Sequence, residues 1–98
     1  MKAPIRPTRQ SGETLAIQAL AFIAEEPGRL GHFLDMTGIP PEQIRAAAQE
    51  PGFLAGVLEH MLADESLLIA FATRAGVDPA DIARARRALG RQRNRNAP

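Results

Sequence analysis

The sequence predicts an all-α protein, a compact bundle of six short helices, and three observations support this prediction. Ala, Leu, Arg and Glu dominate, Tyr and Trp are absent and β-branched residues are sparse, a balance that favours helix over strand. Apolar residues recur at spacings of three and four, which is the period of an amphipathic helix. Proline and glycine divide the chain into short segments, and its 98 residues suffice for one core.

The first three helices are expected before residue 50. The first begins at Ser11, a suitable N-cap, and runs to about Glu25. It is apolar on nearly every side, so it should lie centrally. The second starts at Pro27, and Gly38 ends it, because glycine adopts the left-handed conformation that follows a helix at the lowest energetic cost. The third is short, opens at a pair of prolines and buries Ile44.

The other three helices are expected after Pro51. The fourth is apolar along one side, and Asp64 is a good N-cap for the fifth. Residues 67–72 are apolar on every side, which predicts that the fifth helix is the most buried element. Asp78 is expected to cap the sixth helix and Gly90 to end it.

These helices define the predicted domain organisation. Residues 1–10 should form a disordered basic segment, residues 11–90 a single helical domain, and residues 91–98 a disordered arginine-rich tail. The domain divides into two three-helix units, residues 15–50 and 53–88.

An internal repeat is the reason for that division. A shift of 38 positions aligns apolar, helix-ending and helix-starting residues, and this predicts equivalent burial in the two halves. Any two helical hairpins share some of these helix-starting and helix-ending residues, so a chance likeness stays open as an alternative. The clearest matches are Phe33 with Phe71, Gly38 with Gly76, and Ile44 with Ile82.

The net charge of +1 conceals a segregation of charge along the chain. Residues 1–10 carry three basic groups. Residues 11–83 hold all eleven acids against three arginines, and residues 84–98 hold six arginines and no acid. The basic ends could therefore attract nucleic acid, an acidic partner or the acidic body itself.

Four motifs of the chain are distinctive: AIQALAF, the Leu-Gly-His-Phe-Leu stretch, two Gly-[Ile/Val]-x-Pro turns and the Asp-Glu-Ser-Leu-Leu helix start. Together they resemble the motifs of a family of small helical bacterial proteins of unknown function. The resemblance covers roughly residues 14–89. It implies the same helical fold and brings no activity, cofactor or catalytic residue with it.

Two predicted corners have the spacing of a helix-turn-helix, with an isoleucine six residues after the glycine that ends the preceding helix. The same geometry serves any packed pair of helices. In the first corner Glu42 and Glu50 oppose a phosphate backbone, and in the second Asp78 and Asp81 lie where base edges would approach. A structural corner is therefore the favoured interpretation.

Arginines near the carboxyl end are the only candidate site residues. They could neutralise phosphates, but the tail has no aromatic residue on which unpaired bases could stack. If the chain binds nucleic acid, the expected contacts are Arg84, Arg87, Arg91, Arg93 and Arg95.

Catalytic and metal chemistry find little support. The chain has no cysteine and two histidines, His32 and His60, without a third close ligand in sequence. Ser11 and Ser66 stand at helix starts, where capping explains them. We therefore expect no enzyme activity, no cofactor and no metal site.

The sequence thus favours a non-enzymatic protein-interaction or regulatory module whose partner is another protein. The alternative is a DNA-binding regulator that uses the sixth helix and the arginine-rich tail. Pro4 and Pro7 interrupt the amino-terminal segment, which lacks the apolar stretch of a signal peptide. No apolar run is long enough to cross a membrane, so a cytoplasmic location is expected.

Overall fold

A computed structural model describes residues 9–50 and 52–95, with side chains for residues 11–50 and 52–89. Six α-helices and no strand occur in these residues, which confirms the predicted fold class. The elements are α1 (Arg9–Ala24), α2 (Pro27–Thr37), a 3-10 turn (Pro41–Gln43) that leads into α3 (Ile44–Ala47), α4 (Phe53–Leu62), α5 (Glu65–Ala75) and α6 (Pro79–Arg95).

The helices α1, α4 and α6 contact one another and enclose the centre of the core. Ile23 of α1, Leu58 of α4 and Ile82 of α6 are completely buried there. The helices α2 and α5 pack on the outside of this trio, and each contributes one buried aromatic ring, Phe33 and Phe71. The prediction that α1 lies centrally agrees with this arrangement.

Helix α5 is not the most buried element, so that prediction is wrong. Only Phe71 and Ala72 are buried on it, whereas Ile69 is 49% exposed. Helix α4 is buried more completely, with five buried residues. The error has a simple cause: an apolar run shows which residues could be buried, and neighbouring helices decide which of them are.

Two helix ends follow the predicted glycine turns. Gly38 and Gly76 have φ angles of 76° and 72°, in the left-handed region. After α5, the N–H groups of Gly76 and Val77 donate to the carbonyls of Thr73 and Ala72, at 3.3 and 3.0 Å. Val77 also packs against the core. This pattern is the Schellman motif, in which an apolar residue after the glycine anchors the turn.

Helix α6 has the bounds Pro79–Arg95, which reach beyond the predicted end at Gly90, and the predicted disorder of the arginine-rich tail stays a prediction. Residue 91 is an arginine, so Gly90 lacks the apolar follower that anchors the turns after Gly38 and Gly76. Glycine within a helix costs only about 1 kcal/mol. At the other end, α1 begins at Arg9, two residues before the predicted cap. The predicted disorder of residues 1–8 and 96–98 lies outside the described residues.

The two halves of the chain are not buried equally. Phe33 and Phe71 match well, since both are almost fully buried. Ile82 is completely buried, but its predicted counterpart Ile44 is only half-buried, on a helix of four residues. The predicted equivalence therefore fails at this pair, and the internal repeat itself stays a prediction.

Gly12 permits a close approach between α1 and α6. A β-carbon added there would lie 3.2 Å from the carbonyl oxygen of Ala85 and 3.5 Å from the side chain of Leu89. We expect Gly12→Val to lower the free energy of unfolding by about 1–3 kcal/mol, because overpacking forces the two helices apart. Urea denaturation measures this value.

The matched control is Gly31→Val on α2, where an added β-carbon meets nothing within 4 Å. This substitution should leave stability unchanged or slightly raised, since valine has a better helix propensity than glycine. Equal losses in the two variants would contradict the close approach at Gly12.

Candidate functional site

The outer face of α6 carries the arginines that the sequence singled out. Ile82, Ala85 and Leu89 turn one side of the helix into the core, which leaves Arg84 and Arg87 exposed on the other. Residues 91, 93 and 95 continue the same helix, although their side chains lie outside the described ones. The spacing of three places Arg84 and Arg87 on one face of the helix.

The acids at the start of α6 are engaged within the protein. Asp78 Oδ1 accepts from the N–H of Ala80 at 2.9 Å, and Asp81 Oδ2 accepts from the N–H of Asp78 at 3.2 Å. This reciprocal arrangement resembles a capping box. Asp81 Oδ1 also pairs with Arg84 at 2.7 Å. The charge of Arg84 is thus partly balanced, and Arg86 pairs similarly with Glu59 at 3.5 Å.

The second predicted corner, between α5 and α6, is well formed. Gly76 begins the turn, Asp78 caps the next helix, and Ile82 is fully buried. The first corner, between α2 and α3, is less closely packed, since Ile44 is half-buried there. The second helix is also short in the first corner, where α3 has four residues, and long in the second, where α6 has 17.

Sequence reasoning missed a neutral surface on α1. Its outward face contains no charged residue from Thr14 to Ala24, and Ile17 on this face is 56% exposed. A possible signal was the amount of apolar sequence, which exceeds what one face of a helix needs. The exposed residues of this face are Thr14, Ile17, Gln18, Ala21 and Ala24.

An open cleft of about 270 Å³ adjoins that face, between α1 and α5. The rings of Phe22 and Phe71 lie beneath it, with centroids 5.5 Å apart. An ion pair between Arg74 and Glu25, 2.7 Å long, forms part of its edge. We refer to the exposed face of α1 and this cleft together as the α1–α5 surface.

Two arginines cover Phe22. The guanidinium carbon of Arg29 lies 4.2 Å from the ring centroid, and that of Arg74 lies 5.7 Å away. Arg29 also donates to the carbonyl of Phe22 at 3.2 Å and approaches Glu26 at 3.6 Å. Cation–π contacts of this kind contribute about 0.5–1 kcal/mol at exposed sites. They hold α2 and α5 against the end of α1.

The two histidines of the chain lie side by side, which the sequence did not indicate. The ring centroids of His32 on α2 and His60 on α4 are 5.6 Å apart, and the ring of Phe33 meets His60 edge-on at 5.1 Å. Burial lowers the pKa of His60, the neighbouring His32 lowers it further, and Asp64 opposes the shift. Among the described residues, no three His, Asp or Glu side chains are arranged to hold a metal ion.

Acidification should therefore weaken the contact between α2 and α4. A lowered pKa in the folded state means that the unfolded chain takes up the proton first as the pH falls through about 6.5. The contribution of His60 is thus complete above this pH and is lost as the pH falls through the lower, folded-state value. We expect the urea midpoint to be lower at pH 5.5 than at pH 7.5.

The variant His60→Gln tests the origin of this dependence, since glutamine does not titrate. It should flatten the change between the two pH values, whereas Arg45→Gln, at an exposed residue of α3, should not. A change of the same size in His60→Gln as in the parent would show that other groups cause it.

The chain was compared with family models, curated proteins and solved structures to find the family to which it belongs. None of the helices in the described residues is both long and apolar enough to span a bilayer. Neither the curated proteins nor the solved structures include a match to the chain. A family model described as "Protein of unknown function (DUF3572)" matches residues 9–92, which include all six helices up to the last turn of α6. The resemblance seen in the sequence is thereby confirmed, and the chain belongs to the DUF3572 family.

Proposed function

We propose that this protein is a non-enzymatic interaction module that binds another protein through the α1–α5 surface. The observation that carries the proposal is the exposure of Ile17 on α1, a helix that packs against four others and presents an uncharged outer face. Exposed apolar residues grouped on an otherwise charged surface are typical of protein-binding sites.

The chemistry of the surface favours an apolar ridge as the binding element of the partner. Phe22 and Phe71 lie under the cleft, where they are 5% and 2% exposed, so an entering side chain meets a shallow apolar floor. Ala21 and Ala24 are small and exposed, which lets a partner backbone approach α1 closely. An amphipathic helix with an apolar anchor fits such a groove.

The charges at the edge support a neutral contact. Arg74 is already paired with Glu25, and Arg29 approaches Glu26. A charged partner would have to break these pairs, whereas an apolar one leaves them in place.

A matched pair of charge insertions tests the proposal. Ile17→Glu places a carboxylate in the middle of the α1–α5 surface, and Ile69→Glu places one on α5 at a residue of similar exposure, 49% against 56%. Tagged forms of both variants and of the parent are used to capture proteins from nuclease-treated extracts of the native cell. Quantitative mass spectrometry compares the captured proteins.

We expect Ile17→Glu to lose the proteins that the parent retains, by tenfold or more, and Ile69→Glu to keep them. Circular dichroism should show the same helicity in all three proteins, since both isoleucines are exposed. Equal capture by Ile17→Glu and the parent would overturn the proposal.

A further inference from the structure

The two histidines of the chain form a ligand pair, with His32 on α2 and His60 on α4 side by side. We propose that their imidazoles bind one divalent transition-metal ion of the class to which Zn²⁺ belongs, and that the ion joins α2 to α4. The site uses no residue of the α1–α5 surface, so it stands or falls independently of the protein-binding function.

The separation of the two rings is the first support. Imidazole nitrogens that share a zinc ion lie about 2.0–2.1 Å from it, which places the two ring centres roughly 5–6 Å apart. The centroids of His32 and His60 are 5.6 Å apart, and the rings are inclined by 52° and not stacked face to face. The side chain of His32 is exposed, so it can rotate between rotamers to bring a nitrogen to an ion held by His60.

Phe33 limits the movement of the other ligand. Its ring meets the ring of His60 edge-on, with centroids 5.1 Å apart, and it is almost fully buried. Phe33 also packs against Phe53 of α4, at 6.1 Å. His60 is itself half-buried. Its ring therefore loses little conformational freedom when it binds an ion, which favours binding.

The charges around the pair favour a cation. Helix α4 contains no lysine or arginine. The arginine of α2, Arg29, has its guanidinium over a ring of α1, and Arg86 of α6 is paired with Glu59 at 3.5 Å. The negative charge of Asp64 acts on His60 and favours positive charge there. A metal ion at the histidine pair is thus attracted by an acid, while the nearby arginines are engaged elsewhere.

The ligand types define the class of ion. Imidazole suits zinc, copper and nickel, whereas magnesium and calcium prefer oxygen ligands. Among the described residues no third His, Asp or Glu completes the set, so water takes the other coordination positions, as at open zinc sites. The chain has two histidines and no cysteine. An ion that prefers imidazole or thiolate ligands therefore finds its side-chain ligands at this place.

The test uses the full chain without a histidine tag and Zn²⁺ as the probe. Isothermal titration calorimetry measures stoichiometry and affinity, and urea denaturation with and without Zn²⁺ measures stabilisation. We compare the parent with His32→Gln, with His60→Gln and with the double variant. The matched control is Asp35→Asn, which removes an exposed carboxylate from α2, three residues from His32. Circular dichroism checks that the variants fold.

We expect the parent to bind one Zn²⁺ per chain and to have a higher urea midpoint in its presence, because an ion that binds the folded state stabilises it. Each single histidine variant should weaken binding by about tenfold or more and lose the stabilisation, and the double variant should lose little more, because the two residues act as one site. Asp35→Asn should stay within roughly threefold of the parent. Ile17→Glu should bind Zn²⁺ like the parent, which separates this site from the α1–α5 surface.

Three results would overturn the proposal. The first is the lack of saturable binding to the parent at millimolar Zn²⁺. The second is a loss in only one of the two single histidine variants, which would show that one imidazole holds the ion without the other. The third is an equal loss in Asp35→Asn and in the histidine variants, which would show that Zn²⁺ responds to the acidic surface and not to the imidazole pair.

Discussion

Replacing Phe71 with alanine is expected to lower the free energy of unfolding by about 3–5 kcal/mol, a large part of the stability of so small a domain. Phe71 is 2% exposed and is the main anchor of α5. Its ring lies against Phe22, so truncation leaves a cavity and removes an aromatic pair. Thermal and urea denaturation would both show the loss.

The control on the same helix is Ile69→Ala. Ile69 is about half exposed, so we expect this variant to lose less than about 1 kcal/mol. If Phe71→Ala melts within two degrees or so of the parent, α5 does not depend on Phe71 for its position. The assignment of Phe71 to the floor of the cleft in the α1–α5 surface would then be wrong.

The second large effect is expected at the paired isoleucines. Ile82→Ala should cost about 2–5 kcal/mol, because this side chain is completely buried where α6 meets the core. Ile44 is only half-buried on the short helix α3. We expect Ile44→Ala to cost less than half as much, since part of its surface already meets water.

The comparison tests the unequal burial of the two halves. Urea denaturation of the two alanine variants gives the two losses under the same conditions. Losses within experimental error of each other would favour the equivalence that the internal repeat predicts. They would contradict the half-exposed position of Ile44.

Sequence reasoning succeeded where local chemistry decides the structure. Asp64 caps α5, and its carboxylate accepts from the N–H of Leu67 at 3.2 Å. Gly38 and Gly76 end their helices with positive φ angles. These features depend on a few neighbouring residues, so they can be predicted without knowing how the helices pack.

Sequence reasoning failed where packing decides. The apolar run of residues 67–72 does not show that Ile69 lacks a partner, and His32 and His60 are 28 positions apart in sequence. In each case the missing information is which helix lies next to which.

The candidate site also has one part that local sequence predicts and one part that depends on packing. The arginines of α6 could be found in sequence, because a run without acids is visible there. The α1–α5 surface could not, since its cleft combines Phe22 and Phe71 from helices that are separate in the chain. The outer face of α1 becomes recognisable only when four helices are seen to leave it uncovered.

Site-specific photocrosslinking in the native cell tests the protein-binding function most directly. A benzophenone amino acid replaces Ala21, which is exposed at the edge of the cleft, or Ala48, which is exposed after α3. We expect irradiation to join the protein with the probe at position 21 to a discrete partner protein, and Ile17→Glu in the same chain to abolish the product. The probe at position 48 should give none. Crosslinks of equal yield from both positions, or none from position 21, would contradict the α1–α5 surface as the binding site.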